Sequence, residues 1–178
     1  ELRGHNYGLF ADITSNRPRM SLSKISRRRK ELIDWAGENE AYILEDDYNG
    51  ELRYLSRSVP SLQGTCPERV IYIGSFSRLL LPSVRIAYMV IPHDLAETAR
   101  IKSSLYDQTS SKIEQLALAG YIREGHLERH IRRIRKTYQI KSREMLRALN
   151  EVFKDDVECR LLETSLCAAV TIKTDADE

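Results

Sequence analysis

Three short segments carry the side chains with chemistry to offer. Glu45-Asp46-Asp47-Tyr48 gathers carboxylates and a phenol, Ser75-Phe76-Ser77-Arg78 two hydroxyls and a guanidinium, and Arg85 follows shortly after. Each is fixed to the end of an apolar run, and in an open α/β sheet the loops at the carboxyl ends of strands are where ligands bind. Together they suit a small anionic ring compound carrying a phosphate, because a guanidinium forks onto phosphate oxygens and hydroxyls add donors. Taken singly, the same residues fit blander roles. Asp46 and Asp47 suit a solvated acidic turn, Arg85 suits a surface strand end, and Ser75 and Ser77 are ordinary loop residues.

The elements that must position these groups are legible as apolar patterns. Leu9, Phe10 and Ile13 mark a short strand, and apolar spacing from Ser23 to Asn39 predicts a helix with a basic first half. Ala41 to Leu44 and Val70 to Ile73 are short continuous apolar runs, the signature of strands covered on both faces. The first ends in the acidic segment and turns at Asn49-Gly50, and Glu51 to Leu55 reads as a further extended piece. Ile86 to Ile91 is another apolar run. Helices are predicted over Asp94–Tyr106, Ser111–Arg123 and Leu127–Phe153, the last with apolar residues at helical spacing forming one buried stripe broken near Lys141 and Ser142. Val157 to Leu162 and Leu166 to Ile172 read as strands of a second, smaller unit. The alternation gives an α/β class.

The bulk numbers exclude several alternatives. A chain of 178 residues with 42% hydrophobic and 30% charged content is an ordinary globular protein. Its 28 basic and 26 acidic residues leave a net charge of +2, too little for a general nucleic-acid-coating surface. Cys66, Cys159 and Cys167 show neither a CxxC pair nor metal-ligand spacing, which fits a reducing, cytoplasmic setting. No run approaches the length of a membrane span, and no membrane partner is expected. The ends, Glu1-Leu2-Arg3 and Asp175-Ala176-Asp177-Glu178, look cut from something longer.

The wider text around the three segments resembles the aminotransferase-like domain of bacterial MocR/GabR-type transcription regulators of the GntR family, which share the fold of fold-type-I pyridoxal-phosphate (PLP) enzymes. Tyr42 to Leu52 is similar to the family's IIEDDYDSEF stretch, Val59-Pro60-Ser61-Leu62-Gln63 to PALQ, Val70 to Val90 to VIYLGTFSKTLFPALRLGYLV, and Tyr121 to Arg133 to FIEEGHFARHLRRMRR. The resemblance spans residues 20–155. It implies a partial PLP-binding large domain over residues 1–125, a connecting helix over 126–153 and the start of a smaller C-terminal α/β domain over 154–178. It also implies roles: Asp46 pairs with the pyridine nitrogen of PLP, Tyr48 donates to the ring's phenolate oxygen, and Ser75, Ser77 and Arg85 hold the phosphate.

Position 78 departs from that pattern, which has the Schiff-base lysine there. Arginine keeps its proton in any protein environment and its delocalised nitrogens are poor nucleophiles, so Arg78 forms no Schiff base, although its charge still attracts phosphate or carboxylate. No catalytic residue is therefore assigned. A second departure lies at Thr14-Ser15-Asn16-Arg17-Pro18-Arg19, where only Pro18 matches the family's PSHQFPTG loop. The expected function is sensing of PLP, or of a PLP adduct with a small amino compound, as effector in a homodimer that meets DNA through a winged-helix domain outside this chain. The alternative is a fragment of a class I/II aminotransferase in which Arg78 is an introduced mutation.

Two further signals remain. His126 and His130 are four apart on a helix without an evident third metal ligand, and no metal is assigned. Arg129, Arg132, Arg133, Arg135, Lys136, Lys141, Arg143 and Arg147 make one side of the long helix basic, which fits a solvated face or a surface that docks DNA or a DNA-binding domain. Lys24 to Lys30 read the same way.

Overall fold

A computed structural model describes residues 9–12, 22–47, 50–52, 60–107, 109–161 and 168–173. The expected α/β class is observed, in two compact units. The first holds strands β1 (Leu9–Asp12), β2 (Tyr42–Asp46), β3 (Val70–Ser75) and β4 (Ala87–Val90). With them are helices α1 (Leu22–Glu38), α2 (Leu62–Thr65), α3 (His93–Ser103) and the first part of α4 (Lys112–Arg123). The second holds the chain from Gly120 onwards, with the long helix α5 (His126–Phe153) and strands β5 (Val157–Leu161) and β6 (Ala168–Ile172), together with a 3-10 turn at Gly50–Leu52.

In the first unit the strands lie in chain order. β1, β2 and β3 run parallel, with Phe10 beside Ile43 and Asp46 beside Ile73, and β4 returns antiparallel, with Ser75 beside Ala87. Parallel neighbours need a crossover between them, and α1 supplies it from β1 to β2. Burial along β2 alternates: Ile43 and Glu45 are buried while Tyr42 and Leu44 are half-buried. One face therefore carries the core, where Ile43 and Val70 meet Ala36, Leu62 and Cys66, with Leu32 and Ile33 of α1 packed against them. Burying such side chains contributes about 1.5 to 3 kcal/mol each. β4 is more open than its apolar run suggests, with Met89 60% and Val90 40% exposed.

One backbone contact fixes the β3–β4 pair. Gly74 faces Tyr88 across the ladder, and a Cβ at Gly74 would sit 2.4 Å from the Tyr88 ring. The ring occupies that space and also packs on Phe76, with centroids 5.2 Å apart.

The second unit departs from expectation in two places. Glu51 and Leu52 lie in a 3-10 turn rather than an extended strand, and residues 53–55 lie outside the described residues. Arg135 of α5 holds that turn, donating from Nε to the Glu51 carbonyl at 2.6 Å and lying 3.7 Å from its carboxylate. The apolar stripe of α5 is half-buried rather than buried, with Met145 and Val152 exposed and Ser142 its buried residue. Among the described residues its cover is short: 28 residues of helix extend about 42 Å, whereas a strand of five residues spans about 17 Å. Gly125 precedes α5 at φ +69°, a backbone region in which a side chain is strained. No described helix is long and apolar enough to cross a membrane.

Candidate functional site

The strand directions of the first unit decide which groups meet. β2 and β3 are parallel, so Asp46 and Ser75 end at the same sheet edge. β4 is antiparallel, so its start at Ala87 lies at that edge too, bringing Arg85 with it. The loop from Phe76 to Ile86 closes between them. Three sequence segments thus converge at one rim, at the carboxyl ends of the parallel strands β2 and β3, the side on which open α/β sheets bind ligands. Asp46, Arg78 and Arg85 are exposed there, while Ser75 and Ser77 are half-buried.

The loop is braced by its own polar groups. Phe76 donates its N–H to the Ile86 carbonyl at 3.0 Å, extending the β3–β4 ladder by one rung, and Leu80 donates to Phe76 at 3.0 Å. Ser77 donates its N–H to the Ser75 hydroxyl oxygen at 3.2 Å and its own hydroxyl to the Val84 carbonyl at 2.9 Å. Leu79 and Ile86 are buried and anchor the two limbs. Ser110 fixes the far side by donating to the Arg85 carbonyl at 3.3 Å. The Arg85 backbone is held while its side chain remains at the surface.

Beneath Asp46 lies a second carboxylate of structural kind. Glu45, 4% exposed, accepts the N–H groups of Leu62 at 2.9 Å and Gln63 at 3.1 Å, with Arg29 of α1 3.7 Å away. It satisfies the otherwise orphan amides of α2 and locks that helix to the end of β2. Arg29 also donates to the Pro60 carbonyl. The alternation that buries Glu45 turns Asp46 outward, so the two adjacent acids have different tasks.

Asp47 continues the β2–β3 ladder, donating its N–H to Ile73 at 3.1 Å, and its Oδ2 accepts from the Tyr72 phenol at 3.3 Å. Burial, followed by the Asp47 carboxylate and Tyr88, pushes the Tyr72 phenol well above its usual range, so it stays a neutral donor. The signal for Tyr72 in the sequence is a phenol inside an otherwise aliphatic strand. Tyr48 and the segment Thr14 to Arg19 lie outside the described residues.

His126 and His130 are engaged by arginines of α5 and, for His126, by Tyr121 of α4 and Glu124 of the turn before α5. The His126 ring stacks on Tyr121 at 5.4 Å, with Nδ1 2.7 Å from Arg129 and Nε2 3.0 Å from Glu124, while His130 Nδ1 lies 3.2 Å from Arg133. Among the described residues no three His, Cys, Asp or Glu side chains are grouped to hold a metal.

The donor set at the rim fits PLP: hydroxyls and guanidinium groups for a phosphate, a carboxylate for a ring cation, and at position 78 no amine to attach it. The fold is that of fold-type-I aminotransferases. Pyrococcus horikoshii kynurenine aminotransferase, solved with PMP, matches at a TM-score of 0.71 and 33% identity over 85% of this chain and 38% of its own. The chain belongs, as an aminotransferase-like segment, with the MocR-type HTH regulators. It is 46% identical over 134 residues to the uncharacterised HTH-type transcriptional regulator YdeL of Bacillus subtilis, covering 75% of this chain and 29% of that one. It is 40% identical over 111 residues to MocR of Rhizobium meliloti, a probable rhizopine catabolism regulatory protein, covering 62% of this chain and 22% of that one. The chain thus spans under a third of the length of these curated relatives. No family model matches it.

Proposed function

We propose that this chain is the effector-sensing segment of a MocR/GabR-type transcription regulator and binds PLP, or a PLP adduct with an amino compound, without covalent attachment. The observation that carries the reading is the convergence of Asp46, Ser75 and Arg85 at one sheet edge beside Arg78. When bound, PLP supplies an electron-withdrawing ring bearing a reactive carbonyl. Asp46 pairs with the ring nitrogen, Arg85 and the Ser75 hydroxyl take the phosphate, and Arg78 adds positive charge but offers no nucleophile. Ser77 has a dual place: its hydroxyl proton points at Val84, so it binds phosphate only by giving up that brace. Tyr48 is proposed as the donor to the ring oxygen on the resemblance alone.

At the level of the whole protein, a homodimer in the cytoplasm reads its operator through a winged-helix domain outside this chain. The HTH-type name of the YdeL relative supports the DNA-reading part of this proposal. A second reading, a segment of an aminotransferase, is favoured by the kynurenine aminotransferase likeness. It requires an amine at position 78, which this chain lacks.

Calorimetric titration of PLP into the protein and into its Arg85→Ala variant tests the binding site. Saturable binding that falls at least tenfold in the variant is expected, since a charge-assisted contact contributes about 1.5 to 3 kcal/mol. Equal affinity in both removes Arg85 from the phosphate site.

A further inference from the structure

The basic side of α5 belongs to the second unit, and the rim just described to the first. Arg129, Arg132, Arg133, Lys136, Arg143 and Arg147 are all exposed. At 100° per residue they fall within an arc of about 100°, opposite the half-buried stripe of Leu127, Ile131, Ile134 and Tyr138. Along the axis they extend from 129 to 147, about 27 Å. None of the six makes an ion pair with a carboxylate among the described residues, whereas the neighbouring Arg135 pairs with Glu51. Arg129 and Arg133 instead donate toward the Nδ1 atoms of His126 and His130 at 2.7 and 3.2 Å, and Arg129 also donates to the Glu124 carbonyl, so neither guanidinium is paired directly with a carboxylate. Six of the chain's 28 basic residues thus lie along one side of α5, in a chain whose net charge is only +2.

We infer that this row is a docking surface for the phosphate backbone of duplex DNA. The argument is charge complementarity over a matched length. About 27 Å of duplex is roughly eight base pairs, with one phosphate charge per ~1.7 Å of axis, and the guanidinium groups suit phosphate oxygens. Such contacts position a protein and carry no sequence information directly. The inference goes beyond the effector reading and leans on it only for placing operator DNA within reach.

The test uses the full protein with a fluorescent duplex, reading affinity by anisotropy between 50 and 200 mM salt (about the range over which backbone contacts are resolved). Two variants are compared: R129Q/R133Q/K136Q/R143Q, and a charge-matched control, K102Q/K112Q/R123Q/K173Q, at exposed sites outside both basic stretches. Glutamine is a good helix former, and circular dichroism confirms that both variants are folded. The slope of log K against log salt is expected to be shallower by about 3 to 4 in the α5 variant, at ~0.9 per lost phosphate contact, and little changed in the control. Equal slopes for wild type and the α5 variant overturn the surface while leaving the regulator reading intact. The same holds if the control loses as much, or if polyglutamate competes as well as DNA of equal charge, which marks an acidic polypeptide as the partner. No duplex binding by the wild-type protein overturns the regulator reading as well.

Discussion

Glu45→Gln isolates the contact that fixes α2 to the sheet edge. The carboxylate accepts two backbone N–H groups, one on each oxygen, and faces Arg29, whose side chain is 12% exposed. Glutamine has nearly the same shape but only one acceptor oxygen, so its amide nitrogen must oppose either Leu62 N–H or Gln63 N–H. One buried donor is then unsatisfied, costing about 1 to 3 kcal/mol, and Arg29 loses its counter-charge in a largely buried place. Breaking a buried pair from one side costs roughly 3 to 5 kcal/mol in total, and about 3 is expected here because Arg29 keeps its bond to the Pro60 carbonyl. With a urea m-value of about 2 kcal/mol/M, the unfolding midpoint followed by circular dichroism should fall by about 1.5 M. A double-mutant cycle with Arg29→Met should show coupling above about 1 kcal/mol. A midpoint shift within about 0.3 M, or additive effects, would refute the reasoning by showing that the pair behaves as a solvated one.

Gly74→Ala should destabilise the β3–β4 pair by about 1 to 3 kcal/mol, because the new methyl meets the Tyr88 ring at 2.4 Å; thermal unfolding should show the loss, and Tyr88→Val in the same chain should recover part of it. Burial raises the Cys66 thiol to about 11, so the folded state holds its proton where the unfolded chain, at 9.0, releases it. The stability from the neutral thiol is thus complete below pH 9 and is lost as pH rises to about 11, by up to roughly 2 to 3 kcal/mol; Cys66→Ala should flatten that part of the urea-midpoint profile.

The elements of the fold were readable because apolar periodicity is local. The runs at Ala41 to Leu44 and Val70 to Ile73 and the helical spacing after Leu127 each report a neighbourhood within the chain, and each became the expected strand or helix, with β2 starting one residue later, at Tyr42. Strand direction is not local, and nothing in the run from Ile86 to Ile91 marks β4 as antiparallel, the feature that brings Arg85 to the rim. The tasks of Glu45 and Asp46 were equally hidden, since two adjacent acids differ only once Leu62 and Arg29 arrive from elsewhere in the chain. Likewise a serine in a loop does not announce that its proton is directed at Val84. Glu51 was misread because a short polar-apolar alternation fits an extended strand as well as a tight 3-10 turn, and the turn wins through Arg135, 84 residues away. What was read most surely at the site was chemical type: a guanidinium at position 78 offers charge and no nucleophile in any fold.

That last property gives the most direct test of reversible PLP binding without covalent capture. The protein and its Arg78→Lys variant are equilibrated with PLP by dialysis, a portion is reduced with borohydride, and the peptide containing position 78 is weighed. PLP retention by both proteins is expected, with the phosphopyridoxyl mass on that peptide in Arg78→Lys alone. Absence of saturable PLP binding by the protein as it stands, or an Arg78→Lys peptide that gains no mass while PLP is retained, would contradict the placement of Arg78 beside the bound carbonyl.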